Sequence, residues 1–180
     1  MTPPLLSLID IGANLTHDSF DHDFDQVIER AQAAGVDTII LTGTDLSSAH
    51  KAAEYSQNNP QLFKSTAGLH PHAASQWTTE LATEIQTLLK HDEVIAVGEC
   101  GLDFNRDFSP REKQRVVFEE HLKLAIRAEK PLFLHQREAH EPFFQLLKKY
   151  RNQIVGGVVH CFTDTKEALK DYLALDMYIG

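Results

Sequence analysis

Residues 93–105, EVIAVGECGLDFN, decide the fold. They open on an unbroken apolar run, Val94 to Val97, of the length of a strand buried on both faces. Gly98 then lets the backbone turn, and Glu99, Cys100, Gly101, Leu102 and Asp103 follow. A carboxylate set between glycines straight after a buried strand needs a partner, and a bound metal is one of the best. The other readings are that Glu99 caps the next helix or pairs with an arginine. What the remaining strands end in decides between them.

On both sides of this stretch, apolar and turn signals alternate along the chain. Strands are expected at 5–11, 37–41, 63–69, 94–97, 132–134, 155–159 and 177–179. Helices are expected at 24–34, 46–58, 79–90, 111–129, 140–150 and 165–175, the fourth with Ser109 as N-cap and Pro110 at its first position. Seven strands alternating with six helices in 180 residues give the βαβ pattern of a parallel sheet. Units so short and regular favour a (β/α)8 TIM barrel, and neither GxGxxG nor GxxxxGK[ST] is present. A full barrel takes about 250 residues. The expectation is therefore one α/β domain over 1–180, an incomplete barrel of about seven strands lacking its C-terminal strands. Its open hydrophobic edge is expected to favour self-association, whereas a full barrel would be a monomer.

The net charge of −9 argues against gripping nucleic acid by bulk positive charge. Cys100 and Cys161 form no disulfide framework and read as reduced packing residues. Residues 1–8 lack a basic start, and no run reaches the roughly 18 apolar residues of a transmembrane helix. A cytoplasmic protein without membrane contact is the default expectation.

The strand ends answer the question posed by Glu99. Asn14 follows the first strand, His70 and His72 the third, Glu99 and Asp103 the fourth, His135 and Arg137 the fifth, His160 the sixth. In a parallel barrel all of them face one mouth. Glu99, His135 and His160 make the best metal ligands, a mixed oxygen and nitrogen set suited to Mg²⁺ first, and to Mn²⁺ or Zn²⁺. His70 and His72 share a face, and one of them, His70 foremost, is expected to act on the reacting group. Arg137 either clamps a phosphate with its planar fork or pairs with Glu138 or Asp103. Asn14, His72 and Asp103 are expected to face substrate, Asp103 alternatively orienting a ligand histidine. Trp77 either stacks on an unpaired base or packs on the third helix. His17, His22, His50, His91 and His121 are expected on solvated surface.

Four motifs in this order resemble the TatD family of metal-dependent deoxyribonucleases, among the amidohydrolase-type barrels. They are Thr66-Ala67-Gly68-Leu69-His70-Pro71-His72, Val97-Gly98-Glu99-Cys100-Gly101-Leu102-Asp103-Phe104, Leu134-His135-Gln136-Arg137-Glu138-Ala139-His140 and Val159-His160-Cys161-Phe162-Thr163. The resemblance implies metal ligands at Glu99, His135 and His160. It also implies a divalent-metal phosphodiesterase, a 3′–5′ exonuclease on single-stranded DNA or RNA. Many members begin with Asp-x-His-x-His. Here Asp10-Ile11-Gly12-Ala13-Asn14 places Gly12 and Asn14 at the histidine positions, as in one branch of the family. The family's late Thr-Asp-Ala-Pro-like aspartate has no counterpart up to Gly180. Two competing readings keep the same barrel: a metal-dependent amide or ester hydrolase, on a small molecule or an aminoacylated RNA, and a metal-binding fragment without turnover.

Overall fold

The structure is a computed structural model that describes residues 7–180. Seven strands form one parallel sheet in sequence order: β1 Leu8–Ala13, β2 Val36–Leu41, β3 Phe63–Ala67, β4 Val94–Asp103, β5 Leu132–Arg137, β6 Gly157–Val159 and β7 Tyr178–Ile179. Six helices connect them: α1 Phe24–Ala33, α2 Leu46–Asn58, α3 Thr79–Leu88, α4 Arg111–Ala128, α5 His140–Tyr150 and α6 Lys166–Ala174. All six strand pairings are parallel. The sheet curls until its ends approach: a Cβ on Gly180, just past β7, would stand 3.2 Å from Ile11 Cδ1 on β1. This is the expected incomplete barrel. Leu5 and Leu6, assigned to the first strand from sequence, lie outside the described residues.

Period-two alternation puts a helix-facing and a lumen-facing set on the strands. Ile39 and Leu41 pack under α1 and α2 with Ile28 and Ala52, while Val94, Leu134 and Val159 pack under the later helices with Phe118, Leu122, Phe143, Leu147 and Tyr172. Ile11, Ile40, Ile95, Phe133 and Val158 turn inward and line an apolar cavity of about 510 Å³.

Three departures from the sequence reading shape the site. The fourth strand does not stop at Val97 but runs to Asp103. Gly98 (φ +142°) and Gly101 (φ +144°) let it hug β5: a Cβ would meet Phe133 O at 2.1 Å in the first case and His135 O at 1.9 Å in the second. Only a residue without a side chain fits either place. Next, Pro71–Gln76 forms a 3₁₀ segment that the sequence reading lacked. Finally, Pro110, not Ser109, occupies the N-cap of α4, with no side-chain cap bond. Ser109 is buried instead, its hydroxyl donating to His72 O at 2.8 Å and accepting from Ser75 N at 3.0 Å.

Candidate metal and catalytic centre

The Glu99 carboxylate at the heart of β4 sits at the centre of the site. Glu99 is 6% exposed, and its Oε1 lies 2.6 Å from His160 Nε2, 3.2 Å from His135 Nδ1 and 3.5 Å from His70 Nε2. Neither a helix cap nor an arginine pair is involved. Burial by itself would raise the Glu99 pKa, but the hydrogen bonds from His135 and His160 override it and hold the carboxyl well below its usual range.

A second carboxylate stands behind the first. Asp103 is 1% exposed, and its Oδ2 meets His72 Nε2 at 2.8 Å and His135 Nε2 at 3.1 Å. Its Oδ1 accepts from the backbone N–H groups of Asn105 and Arg106. Burial pushes its pKa up, and the Arg106 N–H, His72 and His135 together bring it below normal. His135 therefore stands between two carboxylates, one at each ring nitrogen. Burial works to lower its pKa, but Glu99 and Asp103 outweigh burial and raise it.

His70 differs from His135. Its Nδ1 accepts the backbone N–H of His72 at 3.2 Å, so the neutral ring carries its proton on Nε2, the nitrogen that faces Glu99. Burial outweighs the attraction of Glu99 and lowers its pKa to about 4. At neutral pH His70 is thus an uncharged donor aimed at the centre.

His160 is held from below. Its ring stacks on Phe133 with centroids 4.4 Å apart. A Cβ on Gly12 would stand 3.3 Å from Phe133 Cζ and 4.0 Å from His160 Nδ1, which places position 12 directly against the site.

The donor set fits a divalent cation. One ligand atom each from His70, Glu99 and His135 lies within 4.8 Å of the others. Atoms about 2.1 Å from a shared ion stand up to roughly 4.2 Å apart, so slight contraction suffices. His160, the ligand expected from the sequence, lies outside that set, but its Nε2 meets the same Glu99 oxygen at 2.6 Å, so it can take the third ligand place and leave His70 Nε2 free to donate.

The other expected site residues take varied places. Arg137 is exposed at the end of β5, with no ion pair among the described residues, so neither Glu138 nor Asp103 neutralises it. Asn14 is exposed and lines a neighbouring cleft of about 350 Å³ with Thr44, Ser48 and Lys51. Trp77 packs on the His121 ring at 4.7 Å and, like Leu81 of α3, against the buried cluster of Leu69, Ala74 and Val117. Cys100 is fully buried, with burial and Glu99 pushing its thiol up, whereas Cys161 is exposed rather than packed.

His121 corrects the surface expectation most sharply. It is fully buried, donates from Nδ1 to Val117 O at 2.8 Å and accepts the Leu69 N–H at Nε2 at 2.9 Å. Leu69 lies past the end of β3, where the sheet no longer takes its N–H. Gln114, seven residues earlier on the same face of α4, accepts from Asp103 N and donates to Asp103 O and Ser109 O. The signal was available: Gln114, Val117, Phe118, His121 and Ala125 fall on one helical stripe.

The family described as TatD related DNase matches residues 9–180 of the chain. The chain belongs to that family. Among curated relatives, a protein of Cronobacter turicensis named 3′-5′ ssDNA/RNA exonuclease TatD is 45% identical over 173 residues. That alignment takes in 96% of this chain and 65% of the relative, so the chain spans about two thirds of the relative's length. Among solved structures, the Escherichia coli K12 TatD homologue YJJV superposes with a TM-score of 0.87 at 30% identity, covering 96% of this chain and 67% of that one. A TatD-family hydrolase of Entamoeba histolytica gives 0.86 at 31%, covering 98% and 65%. The matched region of this TatD-family chain holds all four motifs and every residue of the Glu99 centre.

Proposed function

We propose that this chain carries the metal centre of a phosphodiester hydrolase that removes nucleotides from the 3′ end of single-stranded DNA or RNA. The observation behind this reading is the single buried Glu99 oxygen facing three histidines across 2.6 to 3.5 Å. The name of the Cronobacter relative supports the substrate and polarity.

Glu99, His135 and His160 hold the cation in this reading, with Mg²⁺ the physiological ion and Mn²⁺ or Zn²⁺ as competitors. When bound, the cation supplies Lewis acidity, withdrawing charge from the phosphoryl group and making water acidic enough to attack. Asp103 keeps the His135 Nε2 proton in place, which leaves Nδ1 for coordination. His70 serves as the neutral donor: its Nε2–H hydrogen-bonds a phosphoryl or leaving oxygen while Nδ1 stays engaged by the His72 amide. His72 and Arg137 contact the substrate, the latter through a charge no neighbour cancels, and Asn14 lines the approach. The free thiols of Cys100 and Cys161 suit a reducing cytoplasm, and no helix among the described residues is long and apolar enough to cross a membrane.

Calorimetric titration with Mg²⁺, Mn²⁺ and Zn²⁺ tests the centre, and hydrolysis of 5′-labelled single strands tests the substrate. Glu99→Ala is expected to abolish metal binding. It should also remove the thermal stabilisation of about 2.7 kcal/mol that an ion at a hundred times its Kd confers. Metal binding without cutting of any oligonucleotide, together with turnover of an ester or amide, would replace the nuclease by the other hydrolase.

A further inference from the structure

The loop between β4 and α4 is tied down at almost every residue. Asp103 accepts the Asn105 and Arg106 amides, Asn105 donates to Glu138, and Arg111 holds the Asp107 carboxylate at 2.7 to 3.1 Å. Ser109 is buried between His72, Ser75 and Gln114. Within this anchored loop the Phe108 side chain is left 66% exposed. Loop mobility does not account for that exposure, because the residues on both sides are held by side-chain bonds. Nor does Phe108 point at random: its ring stands T-shaped to the His72 ring, with centroids 4.8 Å apart and 73° between the planes. His72 in turn bonds Asp103 in the site itself.

Two uncompensated cations stand on the same rim. Arg106 lies in the loop, and Arg137 pairs with Asp103 in the register of β4 and β5. Both are exposed and neither has an ion-pair partner among the described residues. The nearby carboxylates of Asp107 and Glu138 are occupied by Arg111 and Asn105. In a chain of net charge −9, an exposed apolar ring in the same loop as one free guanidinium, with a second at the end of the neighbouring strand β5, is a local exception.

We propose that Phe108 is the stacking surface for one nucleobase of a single-stranded polynucleotide whose phosphodiester lies at the Glu99 centre, with Arg106 and Arg137 receiving the flanking phosphates. The proposal rests on the nuclease reading and assigns its base subsite. Stacking on an aromatic face tolerates any base, as suits an enzyme that must accept each nucleotide in turn. The exposed ring lacks a partner on its solvent side, and an unpaired base supplies one.

The test is a double cycle of protein and substrate. Binding of a dye-labelled single strand is followed by anisotropy in EDTA, and cutting is followed in Mg²⁺. An abasic residue is stepped through the last four nucleotides. Phe108→Ala is expected to weaken binding about tenfold, and Phe108→Trp to restore it. At one position the abasic residue should cost wild type the same factor yet cost Phe108→Ala almost nothing. If wild type binds or cuts the strand but Phe108→Ala matches it, or the two losses multiply independently, the stacking subsite is wrong and the nuclease reading stands. If wild type neither binds nor cuts any single strand, both fall. Because Phe108 is exposed, its replacement does not threaten the fold.

Discussion

His121 shows how much a single ring can hold. Both nitrogens are engaged, and the arrangement requires the neutral ring, since an imidazolium would set an N–H against the Leu69 N–H. His121→Leu should destabilise the chain by about 1–3 kcal/mol near pH 7.5, the cost of a buried unpaired amide. His121→Gln, which can still accept from Leu69, should lose less. Acid narrows the gap. Burial lowers the native His121 pKa to about 4, against about 6.5 in the unfolded chain. The unfolded chain therefore binds a proton that the native chain refuses between those values. The stabilisation from the neutral ring is complete above pH 6.5 and declines toward pH 4. Urea melts at pH 7.5 and pH 5 should show the wild-type advantage over His121→Leu shrinking by about 2 kcal/mol. A gap independent of pH would contradict the neutral assignment. In the sequence this residue looked like one more histidine on a polar helix, because reading residues singly hides a stripe that Gln114 and Val117 share. The strand-end histidines were legible, since each follows a strand whose apolar run is plain.

At the scale of the element, β4 departs furthest from its sequence signal. The apolar run stops at Val97, and Gly98 reads as a turn, yet the strand continues six residues further. Glycine has two meanings in a strand, termination and close approach, and the sequence does not tell them apart. Contacts with β5 do. Gly101→Ala forces a Cβ into the His135 carbonyl and a left-handed φ on an L-residue. It should cost about 2–4 kcal/mol in denaturant melts and weaken metal binding, because it separates Glu99 and Asp103 from His135. A variant with wild-type stability and unchanged affinity would show that the close approach of β4 to β5 is dispensable. The expected Ser109 cap failed for a related reason: the helix start was legible in Ser109-Pro110, but the serine hydroxyl had better partners in His72 and Ser75 across the loop.

At the scale of the molecule, barrel class and an open apolar edge followed from the alternation of strand and helix signals, while which side chains stand exposed at the two ends of the sheet did not. Ile9 is 60% exposed on β1 and Tyr178 78% exposed on β7, an apolar surface at each end of the sheet. Such edges pair with whatever strand is offered. The 180-residue chain should sediment as a concentration-dependent mixture of monomer and oligomers, and Ile9→Lys with Tyr178→Lys should shift it to monomer. A monomer at every concentration would count against edge pairing.

The Phe133 ring, 3% exposed, is both part of the apolar lumen and the surface on which His160 lies. One residue thus answers to two kinds of natural selection. In a library randomised at position 133, many aliphatic residues should fill the lumen and survive a screen for folding. Far fewer should survive a screen for metal binding, because only a flat ring presents a plane to the imidazole. The difference between the two surviving populations would measure how far this barrel's history was constrained by chemistry rather than by packing.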